Sequence, residues 1–157
     1  MKNVLVVGAG SIGQRHIKNL LKKNMVFCYD KREIQIDHKN FKFLKNLRNL
    51  NFLDFIVICT PTNTHLKYAY RFLELNKPIL IEKPLTHKFN EVLSFIKKCE
   101  KKNTNIFICS NMRYHIGPKT IVKNIKRIGK IFFCNIRFGN YLPCLLYTSP
   151  SPRDDEL

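Results

Sequence analysis

Gly8, Gly10 and Gly13 stand in G-x-G-x-x-G spacing within Gly8-Ala9-Gly10-Ser11-Ile12-Gly13. Such a turn can bring backbone amides against a pyrophosphate. The first glycine permits the tight turn, the second the close approach of backbone to phosphate, and the third the packing of a helix against a strand. The spacing is weak by itself, but it directly follows Val4-Leu5-Val6-Val7 and opens a helical pattern. Asp30 lies about 20 residues on, at the end of the next apolar run, where a carboxylate can accept a hydrogen bond from a ribose 2′-hydroxyl. This context points to a dinucleotide, against the plainer reading of a glycine turn that binds nothing. Asp30 favours NAD, because a 2′-phosphate would meet its charge. Lys31 and Arg32 pull the other way, since cations there could accept that phosphate, so NADP stays open. A solvated loop is the plainer reading of that basic pair.

Two further segments could line the same ligand. Cys59-Thr60-Pro61-Thr62-Asn63-Thr64-His65 leaves an apolar run as a strand leaves a parallel sheet, and small hydroxyl and amide side chains there can hold ribose and nicotinamide. Read singly, Thr62 or Asn63 would be a helix cap and His65 a surface or packing residue. Glu82-Lys83-Pro84 leaves the next run in the same way. A lysine at that point could give or take a proton if burial and a cationic ring lowered its pKa. The alternative is a structural ion pair between Glu82 and Lys83.

These residues need a scaffold that delivers them to one edge. Residues 2–7 are a β-branched run, and Ile12, Ile17, Leu20 and Leu21 then recur at helical spacing. Residues 25–29, 41–43, 55–59, 79–81 and 106–109 read as further strands, those at the centre continuously apolar as buried parallel strands are. A helix is predicted from near Thr62 to Asn76-Lys77-Pro78, where proline cannot continue it. Another is capped by Asn90 and carries Val92, Leu93, Phe95, Ile96 and Cys99. The βαβ alternation predicts an α/β fold, a doubly wound parallel sheet with helices on both faces. A last helix from Gly117-Pro118 to about Arg127 and a strand over 130–138 follow.

The composition, 45% hydrophobic and 25% charged over 157 residues, allows one globular core and excludes a disordered or collagen-like chain. The net charge of +17 raises the possibility of nucleic acid, but the Lys and Arg pairs lie on separate helices with Ile, Leu and Phe between them, as on solvated faces. No nucleic-acid partner is expected. The apolar runs fall far short of the roughly 18 residues that span a bilayer, so no membrane partner is expected and the protein reads as cytoplasmic. None of the six cysteines stands in a CxxC or a zinc-like Cys/His spacing; free thiols and no metal are expected.

GAGSIGQRH, CTPTNTH, EKP and NMRYH at Asn111 to His115, in this order, closely resemble the Gfo/Idh/MocA oxidoreductases over residues 1–143. The resemblance implies a Rossmann-type domain over 1–120 and hydride transfer between a nicotinamide and a secondary alcohol of a sugar, cyclitol or nucleotide sugar. It implies that Lys83 lies beside the reacting hydroxyl and that Gly8, Gly10, Ser11, Ile12, Gly13, Thr60, Pro61, Asn63, His65 and Glu82 line the dinucleotide. Asn111 and Arg113 would lie near nicotinamide or substrate. A second, α+β domain would close over the sugar and support a homo-oligomer, and only its start, 121–143 with one strand, is expected here. Cys144 to Asp154 resembles the translation of a transposase adapter from sequencing libraries, so 144–157 is read as an artefactual tail rather than a disordered terminus. Such a chain would bind cofactor but turn over little sugar. The alternative from another class is a non-catalytic dinucleotide sensor, which has no need of a lysine at position 83.

Overall fold

The structure, a computed structural model, describes residues 1–137. One compact unit comprises Met1–His115, and a second begins at Ile116. The first unit contains β1 (Asn3–Val7), α1 (Ser11–Leu20), β2 (Met25–Tyr29), β3 (Phe41–Phe43), β4 (Phe55–Ile58), α2 (Thr62–Leu73), β5 (Ile79–Ile81), α3 (Phe89–Lys102) and β6 (Ile106–Ile108). All six strands are parallel, in the order β3-β2-β1-β4-β5-β6. This is the doubly wound Rossmann arrangement. The chain reverses its direction of strand addition between β1 and β4, which opens a crevice beyond their carboxyl ends.

Alternation along the strands divides the core in two. Leu5, Val7, Ile56, Ile58, Ile79 and Ile81 face α2 and α3, where Phe72, Leu73 and Phe95 close the layer. Val4, Val6, Val26, Cys28 and Val57 face α1 through Ile17 and Leu21. Each fully buried side chain of this kind contributes about 1.5–3 kcal/mol by leaving water, so the central strands are the rigid part from which the loops project.

The strands expected at 41–43 and 55–59 are present, and no helix intervenes between β2 and β4. Residues 30–40 and 44–54 connect β2 to β3 and β3 to β4 without a helix. Leu47, Leu50 and Leu53 are nevertheless buried in the core. Asn46 accepts a 3.1 Å bond from the Arg48 amide, and Asn49 takes a left-handed φ of 53°. Both features compete with helical geometry, so the leucines cover the sheet from an irregular segment.

Asn90 does not cap α3. The helix starts at Phe89, and Thr86 organises its entry by accepting from the Lys88 amide at 3.2 Å and donating to Glu91 at 2.7 Å. The second unit holds α4 (Ile116–Asn124) and a 3-10 turn at Ile125–Arg127, over the span where a single helix to about Arg127 is expected. Residues 130–137 form no strand, and Phe138 lies outside the described residues. A strand's amides need a partner ladder; Phe132, Phe133 and Ile136 are instead exposed. The predictions for 139–157 also lie outside the described residues. Among the described residues no helix is long and apolar enough to cross a membrane, and five cysteines are free thiols, of which Cys134 is exposed.

Candidate functional site

The glycine turn is built from the strand ladder upward. The Gly8 amide donates to Tyr29 O at 2.8 Å, so the turn begins in register with the end of β2. Gly8 has φ +97°, and a Cβ there would meet the backbone of Cys59 at 2.7 Å and of Thr60 at 2.8 Å. A Cβ on Gly13 would overlap the Gly8 carbonyl oxygen. Gly10 differs from both, because its Cβ would meet nothing within 4 Å and would project into open space. α1 starts at Ser11 with no side-chain cap and no acid in its first turn. The amides of Ser11, Ile12 and Gly13 therefore lack intrahelical acceptors, and the helix terminus favours an anion. Tight packing beneath and an open Gly10 above make a cradle that fits a pyrophosphate.

Asp30 rests against this cradle. Its Oδ2 accepts from the Ala9 amide at 2.6 Å and its Oδ1 from the Arg32 amide at 3.0 Å. Lys31 and Arg32 are exposed beside it.

The other exits share the edge. The Cys59 amide donates to Val7 O at 2.7 Å, the Glu82 amide to Ile58 O at 2.9 Å and the Cys109 amide to Ile81 O at 2.8 Å, which aligns the ends of β1, β4, β5 and β6. Burial, and then the charge of Glu82, push the Cys59 thiol up to about 12, so it packs as an inert hydrophobe. Pro61 stands at the N-cap of α2, and neither Thr62 nor Asn63 caps the helix. The Thr64 hydroxyl donates to Pro61 O at 2.7 Å and lies 2.8 Å from the Thr60 hydroxyl, leaving Pro61 and Asn63 on the exposed side.

His65 is placed differently from the expectation that it lines a dinucleotide. It is only 1% exposed, with Nε2 2.7 Å from Thr60 O and Nδ1 2.9 Å from Pro84 O. Both nitrogens face backbone carbonyls, and the ring bridges the β4 and β5 exits by donating to one of them and packing against the other, so His65 offers nothing to a ligand directly.

Glu82 does not pair with the side chain of Lys83. Its Oε1 lies 2.8 Å from His16 Nε2, and its Oε2 accepts from the Lys83 amide at 3.3 Å. Burial would raise the Glu82 carboxyl, but hydrogen bonds from His16 and Cys109 outweigh that and hold it below the usual carboxylate range. Sequence reasoning missed His16 and Cys109. His16 sits one turn beyond Gly13 and 66 positions from Glu82, so only the parallel topology brings them together. The Lys83 side chain is exposed, so the described residues do not supply the burial expected around it. Asn111 and Arg113 lie on an exposed 3-10 turn, Asn111–Tyr114, just after β6.

Residues 2–109 match a family model described as an oxidoreductase family with an NAD-binding Rossmann fold. The chain belongs to the Gfo/Idh/MocA oxidoreductase family. Among curated Gfo/Idh/MocA relatives, an uncharacterized oxidoreductase, YhhX of Escherichia coli, is 28% identical over 101 residues, covering 63% of this chain and 29% of that protein. Myo-inositol 2-dehydrogenase of Thermotoga maritima is 25% identical over 138 residues, covering 80% of this chain and 41% of that protein. The chain thus spans less than half the length of these relatives. The WlbA dehydrogenase of Chromobacterium violaceum, solved with NADH and UDP-GlcNAcA, superposes with a TM-score of 0.71 at 16% identity over 80% of this chain and 40% of that one, a likeness of fold.

Proposed function

We propose that this chain binds NAD, with NADP as a weaker second ligand, across the β1/β4 crevice. In the whole protein this would serve hydride transfer with a secondary alcohol of a cyclitol, sugar or nucleotide sugar. The observation that carries the reading is the convergence on one sheet edge of an open glycine cradle, the Asp30 carboxylate, the Thr60 exit and Glu82. The name of the inositol dehydrogenase relative and the NADH and UDP-GlcNAcA bound by the WlbA structure support the substrate class.

When bound, the nicotinamide supplies or accepts the hydride. The amides of Ser11, Ile12 and Gly13 hold the pyrophosphate by charge-dipole attraction. Asp30 holds the adenine-side ribose and disfavours a 2′-phosphate. Thr60, Pro61, Asn63 and Glu82 border the nicotinamide half, with His65 fixing two of these exits together from behind. Lys83 takes or gives the alcohol proton, and Asn111 and Arg113 orient substrate from the β6 side. A second domain would bury Lys83, exclude water and support a homo-oligomer; a cytoplasmic setting suits free thiols.

Fluorescence titration with NADH and NADPH tests the binding. NADH quenches or shifts saturably and more tightly than NADPH, and Lys83→Met leaves both affinities within about twofold because that lysine acts on the alcohol, not on the dinucleotide. Absence of saturable binding by either nucleotide to folded protein ends the reading.

A further inference from the structure

His16, Glu82 and Cys109 bring one nitrogen, one carboxylate oxygen and one sulfur within 4.8 Å of one another. They come from α1 and from the exits of β5 and β6, a helix and two strands of one Rossmann unit. We propose that these three side chains form a site for a borderline divalent cation such as Zn²⁺, and that a cation held there opposes dinucleotide binding. The second half of the proposal rests on the reading given above for the crevice.

The donor set suits this class of metal. Imidazole, carboxylate and thiolate together favour zinc over magnesium or calcium, which seek oxygen alone. A tetrahedral zinc with bonds of about 2.0–2.3 Å separates its ligand atoms by roughly 3.3–3.6 Å. The His16–Glu82 separation of 2.8 Å must open slightly, and the widest separation in the group, up to 4.8 Å, must close by about 1 Å, so side-chain rotation has to accompany metal binding. The His16 and Glu82 side chains are 24% and 12% exposed, so they are reachable yet held. The Lys83 amide on Glu82 Oε2 fixes the carboxylate as an outer-shell partner does. Three protein ligands leave the fourth position to water, as in open zinc sites.

Such a cation competes because it uses Glu82 at the edge where the nicotinamide half of the ligand is proposed to lie. Drawing Glu82 and His16 onto a metal also places a hydrated ion in that space.

Cobalt reports the site directly, because thiolate bound to Co²⁺ gives a near-ultraviolet charge-transfer band. Titration of chelator-treated protein with Co²⁺ should saturate at one equivalent with that band, and Zn²⁺ should remove it. Cys109→Ser should abolish the band, and His16→Asn should weaken binding by at least about 100-fold, beyond what loss of an outer-shell partner does. Cys134→Ser combined with Cys144→Ser should leave it intact, and circular dichroism checks that each variant folds. Absence of a saturable band, or a band that survives Cys109→Ser, overturns the site. NADH affinity is then measured with and without one equivalent of Zn²⁺, and should fall at least about tenfold. Unchanged affinity overturns the competition. Failure of metal-free protein to bind NADH would end the dinucleotide reading, while the cobalt spectrum would still decide the metal site.

Discussion

The carboxylate of Asp30 accepts a 2.6 Å hydrogen bond from the amide of Ala9, the residue between Gly8 and Gly10. Asp30 therefore supports the cradle as well as facing the proposed ribose. Asp30→Ala leaves the buried Ala9 amide without its acceptor, at a cost of about 1–3 kcal/mol in stability. Asp30→Asn keeps an acceptor and should cost less. Both variants should lose NADH affinity, by roughly tenfold or more for a charged hydrogen bond. NADPH affinity should fall less, since the repulsion of its 2′-phosphate is also removed. Denaturant unfolding and paired titrations check this, and an unchanged NADH to NADPH ratio would remove Asp30 from the specificity role.

The three glycines should separate folding from binding. Gly8→Ala forces a side chain onto φ +97° and onto the backbone of Cys59 and Thr60, and should destabilise by more than about 1–3 kcal/mol. Gly13→Ala meets the Gly8 carbonyl, so the roughly 1 kcal/mol that alanine adds to a helix interior cannot compensate. Gly10→Ala meets nothing and should leave stability within about 0.5 kcal/mol. Its methyl nevertheless enters the space proposed for the pyrophosphate, so NADH binding should be largely lost. A Gly10→Ala variant that binds NADH like the parent would show that the phosphates lie elsewhere.

What the sequence made legible follows from how far each signal travels along the chain. β1, the glycine turn and Asp30 were readable because strand, turn and acid lie close together, with spacing set by the backbone. The β4 and β5 exits were readable because continuous apolar runs end there in polar residues. The loop over 44–54 was not, since leucines spaced by three resemble a helical stripe until Asn46 and Asn49 are seen to take turn geometry. The strand expected over 130–137 had the right composition, but pairing is a property of a neighbour and not of the segment. His16 and Cys109 had no local signal at all, because their common partner Glu82 is distant in sequence and adjacent only through the sheet order. His65 was legible as part of a motif, yet its direction, inward to two carbonyls, was not.

His65→Leu tests that inward role. The substitution keeps volume but removes the ring between Thr60 O and Pro84 O, a cost of about 1–3 kcal/mol for the part-buried carbonyl that loses its donor. Because both exits border the proposed nicotinamide side, NADH affinity should also fall, although His65 makes no contact there. His65→Gln, which can restore one bond, should recover part of the stability. Thermal unfolding of the two variants checks the order, and equal stability of His65→Leu and the parent would refute the tie.

The acid limb of stability should carry the signature of Glu82. Its carboxyl titrates below the ordinary range in the folded chain: burial opposes ionisation, but His16 and Cys109 bond to the ionised form more strongly. A depressed folded pKa stabilises the native state above the unfolded value, about 4.3 for a glutamate, and that contribution disappears as pH falls through the lower folded value. Asp54 and Glu74 are shifted the same way, by the Asn3 amide and by Lys102 respectively, so total stability falls on acidification whatever Glu82 does. The difference between the parent and Glu82→Gln isolates the group. Glu82→Gln should be the less stable protein near neutral pH, and the gap should narrow as pH falls below about 4, because the parent's carboxyl then becomes neutral as well. Urea unfolding at a series of pH values measures that gap. If it stayed constant, Glu82 would act through shape alone, and its ionised form would gain nothing from His16 and Cys109.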